Sequence, residues 1–279
     1  MIGYRYHKYD DTSWKFSQGS WSPVSRYYGT NMISDTPNYF FKNHGGLIVL
    51  FHNNFDSQKE TNWWYIVKDK FSKIENLPKK TRYMIRRASN IYSTKKVSRK
   101  MILKNGFDIY CAAYARYKTH EPRFDLQSFQ KAINNMPEQT EFWCVFRKND
   151  EKMVGFCENF IENKFCTFVS LWLHPDEMKK GCGYLLFYEM EEEYLLQRNF
   201  SYVSNGTRNL SHSTNIHEFL VSKFNYRKAF CKIHVKYRKP FGLLVSGAYC
   251  ISKIIFLKSL LLHGRIGILM RLEEIRRES

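Results

Sequence analysis

Residues 165–226 read FCTFVSLWLHPDEMKKGCGYLLFYEMEEEYLLQRNFSYVSNGTRNLSHSTNIHEFLVSKFNY, and this stretch decides the fold. Its first part, Phe165–Leu173, is rich in Phe, Val, Thr and Trp, which predicts a buried strand that Pro175 ends. A basic turn with two glycines follows at residues 179–183, and apolar residues then recur at helical spacing. This order suits phosphate binding, because glycine lets the backbone approach an anion and a helix N-terminus favours negative charge.

The flanking sequence supplies further elements in a definite order. Helical spacing predicts two helices before the strand, the second capped by Asp125, and a hairpin of two apolar strands follows them. After the central helix come a short strand, a helix with Asn225 at its C-cap, and a final strand. The predicted bounds are Gly106–Lys118, Asp125–Asn135, Glu141–Arg147, Met153–Phe160, Ser201–Ser204 and Ile233–Arg238.

This order of elements resembles the GNAT superfamily of N-acyltransferases. In that family the central strand ends in a (V/L)-x-P-x-x-(Q/R)-x-x-G-x-(G/A) segment that binds the pyrophosphate of acyl-CoA. The positions of this chain in register with it are Leu173, Pro175, Gly181 and Gly183. Met178 stands where the family prefers Gln or Arg, and Lys179 and Lys180 supply the charge that it lacks.

The resemblance implies an α/β fold with a mixed, mainly antiparallel sheet flanked by helices. It also implies acetyl-CoA or another acyl-CoA as donor substrate, with no metal, and we find no His/Cys group with metal-ligand spacing. Backbone near the end of the central strand would polarise the thioester carbonyl. The implied donor-binding residues are Trp172, Leu173, Lys179, Lys180, Gly181, Cys182, Gly183, Tyr184 and Asn215. Val221 replaces the Tyr that protonates the leaving thiolate in many relatives.

Three residues are candidates for the base that deprotonates the amine. Glu158 lies on the strand beside the central one, where apolar neighbours would raise its pKa, unless it faces solvent. His212 follows the short strand near the expected cleft and has a suitable intrinsic pKa, unless it is a solvated loop residue. His174, just before Pro175, is either a third candidate or structural.

The N-terminal part carries a second resemblance. The sequence LPKKTRYMIRRA at Leu77–Ala88 looks like the helix that precedes the acyltransferase domain of Fem-type peptidyltransferases, which hold two GNAT-like halves in one chain. It therefore implies a degenerate, β-rich GNAT-like half at 1–100, an acyltransferase domain at 101–239 and an apolar, basic helical tail at 240–279. Within the first half, Leu47–Phe51 and Trp63–Val67 read as strands, with Asn53, Asn54 and Asp56 turning between them.

The chain is 43% hydrophobic, which excludes a disordered protein, and its formal charge is +18. Residues 66–105 hold 13 Lys/Arg against two acids, and residues 223–279 hold 13 against three. Such charge indicates nucleic acid, an anionic membrane or phosphorylated substrates, or simply a solvated surface. Lys253 and Lys258 interrupt the apolar tail, so it reads as an interfacial helix on an anionic membrane or as a helix packed on the domain.

Together these features predict an acyl-CoA-dependent N-acyltransferase. The expected acceptor is a small-molecule or carrier-linked amine of an amino sugar or amino acid, in cell-envelope or polysaccharide biosynthesis. No apolar leader segment is visible, so the expected location is cytoplasmic, peripheral on the inner face of the membrane. One alternative is a Fem-like transferase using aminoacyl-tRNA, with residues 66–105 as the tRNA surface. The other is a degenerate binding protein, indicated by Met178 and Val221.

Overall fold

A computed structural model describes residues 4–10, 12–24, 35–116, 122–208, 210, 215–252 and 264–278. The strands are β1 Arg5–Tyr9, β2 Thr12–Ser17, β3 Ser20–Pro23, β4 Ile48–Ser57, β5 Trp64–Lys68, β6 Tyr92–Val97, β7 Thr140–Arg147, β8 Met153–Glu162, β9 Phe165–Leu173, β10 Tyr202–Thr207 and β11 Arg227–Tyr237. The helices are α1 Thr36–Asn43, α2 Lys79–Ile91, α3 Arg99–Tyr114, α4 Leu126–Asn134, α5 Pro175–Met178, α6 Cys182–Glu191, α7 Ile216–Phe224, α8 Phe241–Ser252 and α9 Gly264–Glu278.

The chain forms two compact units, each with its own strands and helices. The central unit contains Ile66–Gly206 and Asn215–Arg227. The terminal unit contains the described parts of Arg5–Tyr65 and Lys228–Ser279. Both units have mixed, mainly antiparallel strand pairing and flanking helices, which confirms the predicted fold class.

In the central unit the strand order is β5-β10-β9-β8-β7-β6. Helix α3 packs on β8 and β9, and α6 packs on β6, β7 and α2. These two helices cover opposite faces of the sheet. Gly106 of α3 approaches Phe156, which pairs across the strands with Trp172, whereas Gly183 of α6 approaches Leu173. Trp172 and Leu173 are consecutive residues of β9, and consecutive side chains of a strand point to opposite faces. A π-helical turn, Glu192–Gln197, continues α6.

A buried ion pair lies inside the central unit. Lys68, at the end of β5, donates a hydrogen bond to Glu191, the last residue of α6, and the two side chains are 3% and 0% exposed. The Lys68 ammonium lies 5.8 Å from the ring centroid of Tyr226. Burial raises the pKa of Glu191 to about 7, against the lowering effect of Lys68. The pair is therefore held in a region that otherwise disfavours charge.

Most predicted elements are confirmed, and the differences have local causes. The central strand β9 has the predicted bounds, Asp125 caps α4 by accepting from Ser128 N, and Asn225 ends α7 in the left-handed conformation. The turn predicted at residues 53–56 is wrong, because β4 continues through it with Asn54 and Asp56 at positive φ. β10 likewise continues to Thr207, and helix α3 begins at Arg99, seven residues earlier than predicted.

In the terminal unit the strand order is β1-β2-β3-β4-β11. Its core contains Trp14, Trp21, Phe40 and Val49. The predicted tail forms helices α8 and α9, which pack on each other, while residues 253–263, with Lys253 and Lys258, lie outside the described residues. Among the helices that the structure describes, none combines the length and the hydropathy needed to cross a bilayer.

Two histidines of the terminal unit lie beside one hydroxyl, and we expect the stability of this unit to depend on pH. His7 Nε2 and His44 Nε2 lie 3.0 and 3.2 Å from Tyr39 Oη, and the two imidazole centroids are 3.8 Å apart. Burial and then the charge of His44 lower the pKa of His7 from 6.5. Because the unfolded chain binds this proton more readily, we expect its stabilising contribution to be complete above pH 6.5 and lost as the pH falls below it. Thermal unfolding across pH 5–8 checks this, and His7→Phe should flatten the profile; an unchanged profile would contradict it.

Candidate active site

The strand pairing opens a gap beside the end of the central strand. β9 pairs in parallel with β10 only over Phe165–Thr167, whereas it pairs with β8 as far as Leu173. The β8–β9 register slips by one residue at Val169, a bulge of the kind that redirects strands near functional sites. The last part of β9 therefore has an edge that no described residue of β10 pairs with. Backbone groups at this end of β9 are the ones predicted to polarise the carbonyl of the acyl donor, and that role stays a prediction.

Gly155 of β8 makes the close approach at this place possible. It pairs with Leu173, and a Cβ on Gly155 would lie 2.4 Å from Leu173 Cδ2 and 3.2 Å from the carbonyl oxygen of Trp172. A side chain at this position would therefore displace the end of β9.

We expect Gly155→Ala to destabilise the fold by about 1–3 kcal/mol, because the added methyl overpacks against Leu173. Denaturant unfolding measures this change. The matched control is Gly247→Ala in α8, where a Cβ would meet nothing within 4 Å and stability should hold or rise. Equal stability of Gly155→Ala and wild type would show that β9 moves aside without cost.

Glu158 is fully buried on the α3 face of the sheet, which excludes the solvent-facing alternative. Its Oε1 accepts a hydrogen bond of 3.3 Å from Trp172 Nε1, which also lies 3.2 Å from Ser170 Oγ. The ring of Tyr110, on α3, meets Trp172 edge-on with centroids 4.9 Å apart. The carboxyl is thus oriented by β9 itself, next to the diverging end of that strand. Its catalytic role stays a prediction.

The glycine turn lies between β9 and α6 as predicted, but its glycines are buried. Gly181 precedes α6 with φ of 95°, which favours glycine. A Cβ there would lie 2.8 Å from Met84 Cε, because α2 packs over the start of α6. Gly181, Cys182 and Gly183 are all buried. In this conformation Gly181 packs against Met84 of α2, whereas Lys179 and Lys180 of the same turn are exposed.

The lysines of the turn face carboxylates of the preceding helix α5. Lys179 Nζ lies 3.8 Å from Asp176 Oδ1, and Lys180 Nζ lies 3.3 Å from Glu177 Oε2. Glu177 also accepts from Tyr92 Oη, and from Arg147 Nη2 at 2.9 Å. Burial alone would raise the pKa of Glu177, but the hydrogen bonds from Tyr92, Lys180 and Arg147 outweigh it and lower that pKa. The lysines of the turn are therefore engaged by carboxylates of α5.

The other predicted residues are dispersed. Burial raises the pKa of the Cys182 thiol to about 12, so it stays protonated, and the Tyr184 ring packs edge-on against Phe219 at 4.9 Å. Asn215 stands at the N-cap of α7 without a side-chain capping bond. His174 is part-exposed at the start of α5, and His212 lies outside the described residues. Sequence reasoning missed Tyr110 and Gly155, although an isolated glycine in a strand does signal close backbone approach.

Comparisons with solved structures find proteins of similar fold. L-PGS from Bacillus licheniformis is 13% identical, with 96% of this chain and 88% of that chain covered and a TM-score of 0.52. FemX is 7% identical, with 81% and 86% covered and a TM-score of 0.53. The ribosomal-protein-S18-alanine N-acetyltransferase from Escherichia coli is 16% identical, with 40% of this chain and 64% of that chain covered and a TM-score of 0.32.

At these identities the likeness concerns the fold. The chain has the GNAT-like fold that Fem-type proteins also have, as its sequence predicted. The match spans just under two thirds of the E. coli acetyltransferase, whereas it spans most of L-PGS and FemX. No protein-family model and no curated protein matches the chain.

Proposed function

We propose that this chain is an N-acyltransferase whose acyl group arrives on tRNA rather than on CoA. The observation that carries this choice is the covered glycine: Gly181 is buried and packs against Met84 of α2, and the turn's Lys179 and Lys180 are paired with Asp176 and Glu177. A pyrophosphate at Gly181 would have to displace Met84 and to compete with Asp176 and Glu177 for the lysines of the turn.

One face of α2 supplies a surface for a tRNA backbone. Its exposed residues recur on one side of the helix and include Lys79, Lys80, Arg86 and Arg87, with Tyr83 62% exposed among them. The opposite side is buried and packs against α6. A row of cations with an aromatic residue binds RNA phosphates and stacks on bases. We call this surface the basic face of α2.

Within this proposal Glu158 takes the proton from the acceptor amine, and the open edge at the end of β9 holds the acyl carbonyl. This proposal is supported by the burial of the Glu158 carboxyl and by its hydrogen bond from Trp172 near the end of β9, and it requires the amine to come within hydrogen-bond reach of that carboxyl. The acceptor would be the amine of an amino sugar or amino acid, free or on a carrier, in cell-envelope or polysaccharide biosynthesis. The degenerate-site alternative predicts binding of donor with no transfer.

An acyl-CoA donor is the second candidate. It is favoured by the register of Leu173, Pro175, Gly181 and Gly183 with the family segment and by the divergence of β9 from β10. It requires α2 to move away from the turn. Its acceptor would be the same kind of amine.

The deciding experiment measures binding of acetyl-CoA and of a mixed aminoacyl-tRNA pool to the wild-type chain. We expect tight, strongly salt-dependent tRNA binding and weak or absent CoA binding. Arg86→Glu/Arg87→Glu should weaken tRNA binding by at least about tenfold, whereas the control Lys131→Glu/Lys223→Glu should not. Saturable CoA binding without tRNA binding by a folded chain would overturn the choice of donor.

A further inference from the structure

Helix α8, Phe241–Ser252, exposes apolar side chains where a surface helix usually exposes polar ones. It reads FGLLVSGAYCIS and contains no charged residue. Leu243, Leu244 and Ile251 on it are 76%, 69% and 48% exposed. The outer side of a surface helix normally carries charged and polar residues. The outer side of α8 is therefore suited to an apolar environment rather than to water.

The exposed residues of α8 form one strip along the helix. With about 3.6 residues per turn, they fall within a sector of about 120°. We call them the outer strip of α8: Leu243, Leu244, Gly247, Cys250 and Ile251. The buried residues Val245 and Ser252 lie on the opposite side of the helix. Helix α9 packs against α8 and leaves this strip exposed, so the terminal unit presents a continuous apolar surface.

Cations border this strip at its N-terminal end. Arg238 and Lys239 are exposed immediately before α8, and the Arg238 carbonyl accepts a hydrogen bond of 3.0 Å from the first turn of the helix. Leu47, which is 42% exposed, lies beside them, since its carbonyl accepts from Arg238 N at 2.9 Å. Residues 238–277 hold eight Lys/Arg against two acids. A cationic border on an apolar strip is complementary to a bilayer, which offers anionic headgroups over an apolar interior.

A lipid surface matches this strip better than a second copy of the chain does. Two copies that met at the strip would bring their own cations to one interface, and like charges placed together there disfavour association. An anionic bilayer instead receives the apolar side chains and the cations together. The sequence continues the same composition at 253–263, KIIFLKSLLLH, which lies outside the described residues. Helix α8 is about 18 Å long, shorter than a hydrocarbon core of about 30 Å, so it would lie along the surface.

We propose that the outer strip of α8 docks on an anionic lipid bilayer. The helix lies along the membrane surface, with Leu243, Leu244 and Ile251 among the upper acyl chains and with Arg238 and Lys239 at the headgroups. Burial of the apolar side chains supplies the affinity, and the cations make it depend on headgroup charge. This docking goes beyond the proposed acyl transfer and does not depend on its donor, because α8 contributes no residue to the candidate active site.

The test measures co-sedimentation of the full chain with two kinds of vesicle, one of phosphatidylcholine and one of phosphatidylcholine and phosphatidylglycerol in equal amounts. We expect binding to the mixed vesicles to be at least about tenfold tighter. Leu243→Ser/Leu244→Ser should weaken this binding by at least about tenfold, because it removes apolar surface without changing the charge. The matched control is Leu126→Ser/Leu196→Ser, which alters two leucines of the central unit that are 48% and 57% exposed and should leave binding unchanged.

Headgroup charge and insertion are tested separately. Arg238→Gln/Lys239→Gln should reduce the preference for mixed vesicles by at least about fivefold, because each cation near the surface adds to the attraction. Leu244→Trp should gain fluorescence at shorter wavelength when mixed vesicles are added, relative to the wild type, because its ring leaves water. An unshifted spectrum from vesicle-bound Leu244→Trp would show that the strip stays in water and would overturn the proposal.

Other outcomes also overturn the proposal. One is the failure of a chain with normal circular dichroism and melting to bind either vesicle, and another is an equal loss in the leucine control. A loss in Arg86→Glu/Arg87→Glu but not in Leu243→Ser/Leu244→Ser would assign the attachment to the basic face of α2. A vesicle-free dimer that Leu243→Ser/Leu244→Ser dissociates, as light scattering would detect, would assign the strip to a second copy. Since no tRNA or CoA is present, failure of docking is distinguishable from failure of the proposed transfer.

Discussion

Glu158→Gln is expected to lower the rate of acyl transfer by about 10²–10⁴-fold without unfolding the chain, because it removes a general base but keeps the side chain's shape. The amide oxygen of Gln still accepts the hydrogen bond that Trp172 Nε1 donates to Oε1 in the native protein. The measurement is loss of label from an aminoacyl-tRNA pool in the presence of amine acceptors. Binding of the donor should stay unchanged, which separates catalysis from affinity.

The matched control is another substantially buried carboxyl of the same unit. Glu189 accepts a 2.7 Å hydrogen bond from Thr94, and burial raises its pKa. Glu189 lies on α6, whereas Glu158 lies on the face of the sheet that α3 covers. Glu189→Gln should therefore leave the rate of acyl transfer close to that of the wild type. Similar rates for wild type and Glu158→Gln would show that Glu158 is not the general base. Its role would then be to orient Trp172.

The elements around β9 could be predicted because local sequence alone determines them. Three features here depend only on residues close to them in the chain. They are the apolar run that ends before Pro175, the glycine with positive φ at position 181, and Asn225 in the left-handed conformation at the end of α7. The missed strand β6 shows the opposite case. It reads YSTKKV, with only Tyr92 buried, and pairs only with β7 as the outermost strand. Polar, charged edge strands lack the alternation that sequence reasoning uses.

The candidate site was only partly predictable, for a tertiary reason. Gly181 and Gly183 match a phosphate-binding segment, but whether such a segment is open depends on what packs over it. Here Met84, about 100 residues earlier in the chain, covers Gly181. Lys180, which was expected to contact phosphate, forms an ion pair with Glu177 instead. The contact between Glu158 and Trp172 likewise depends on the register of β8 and β9. No local pattern encodes these pairings.

Lys68→Met is expected to destabilise the central unit by about 3–5 kcal/mol, the largest stability effect that we predict. Removing Lys68 leaves Glu191 fully buried without its cation, and an unpaired buried charge is far more costly than a lost surface pair. The protein would respond by protonating Glu191, whose pKa is already raised to about 7 by burial. The loss should therefore be larger at pH 8 than at pH 5, as denaturant unfolding at both values would reveal.

Two further variants make this prediction sharp. Lys68→Met/Glu191→Leu removes both charges, and we expect it to recover most of the lost stability. Two apolar side chains can pack in this place without the desolvation cost of a buried ion pair. The contrasting pair is Asp69 and Arg227, 2.7 Å apart and about 40% exposed, where Arg227→Met should change stability by less than about 1 kcal/mol. If Lys68→Met and Arg227→Met were equally mild, water would have to reach Glu191, and the buried pair would contribute no more than a surface one.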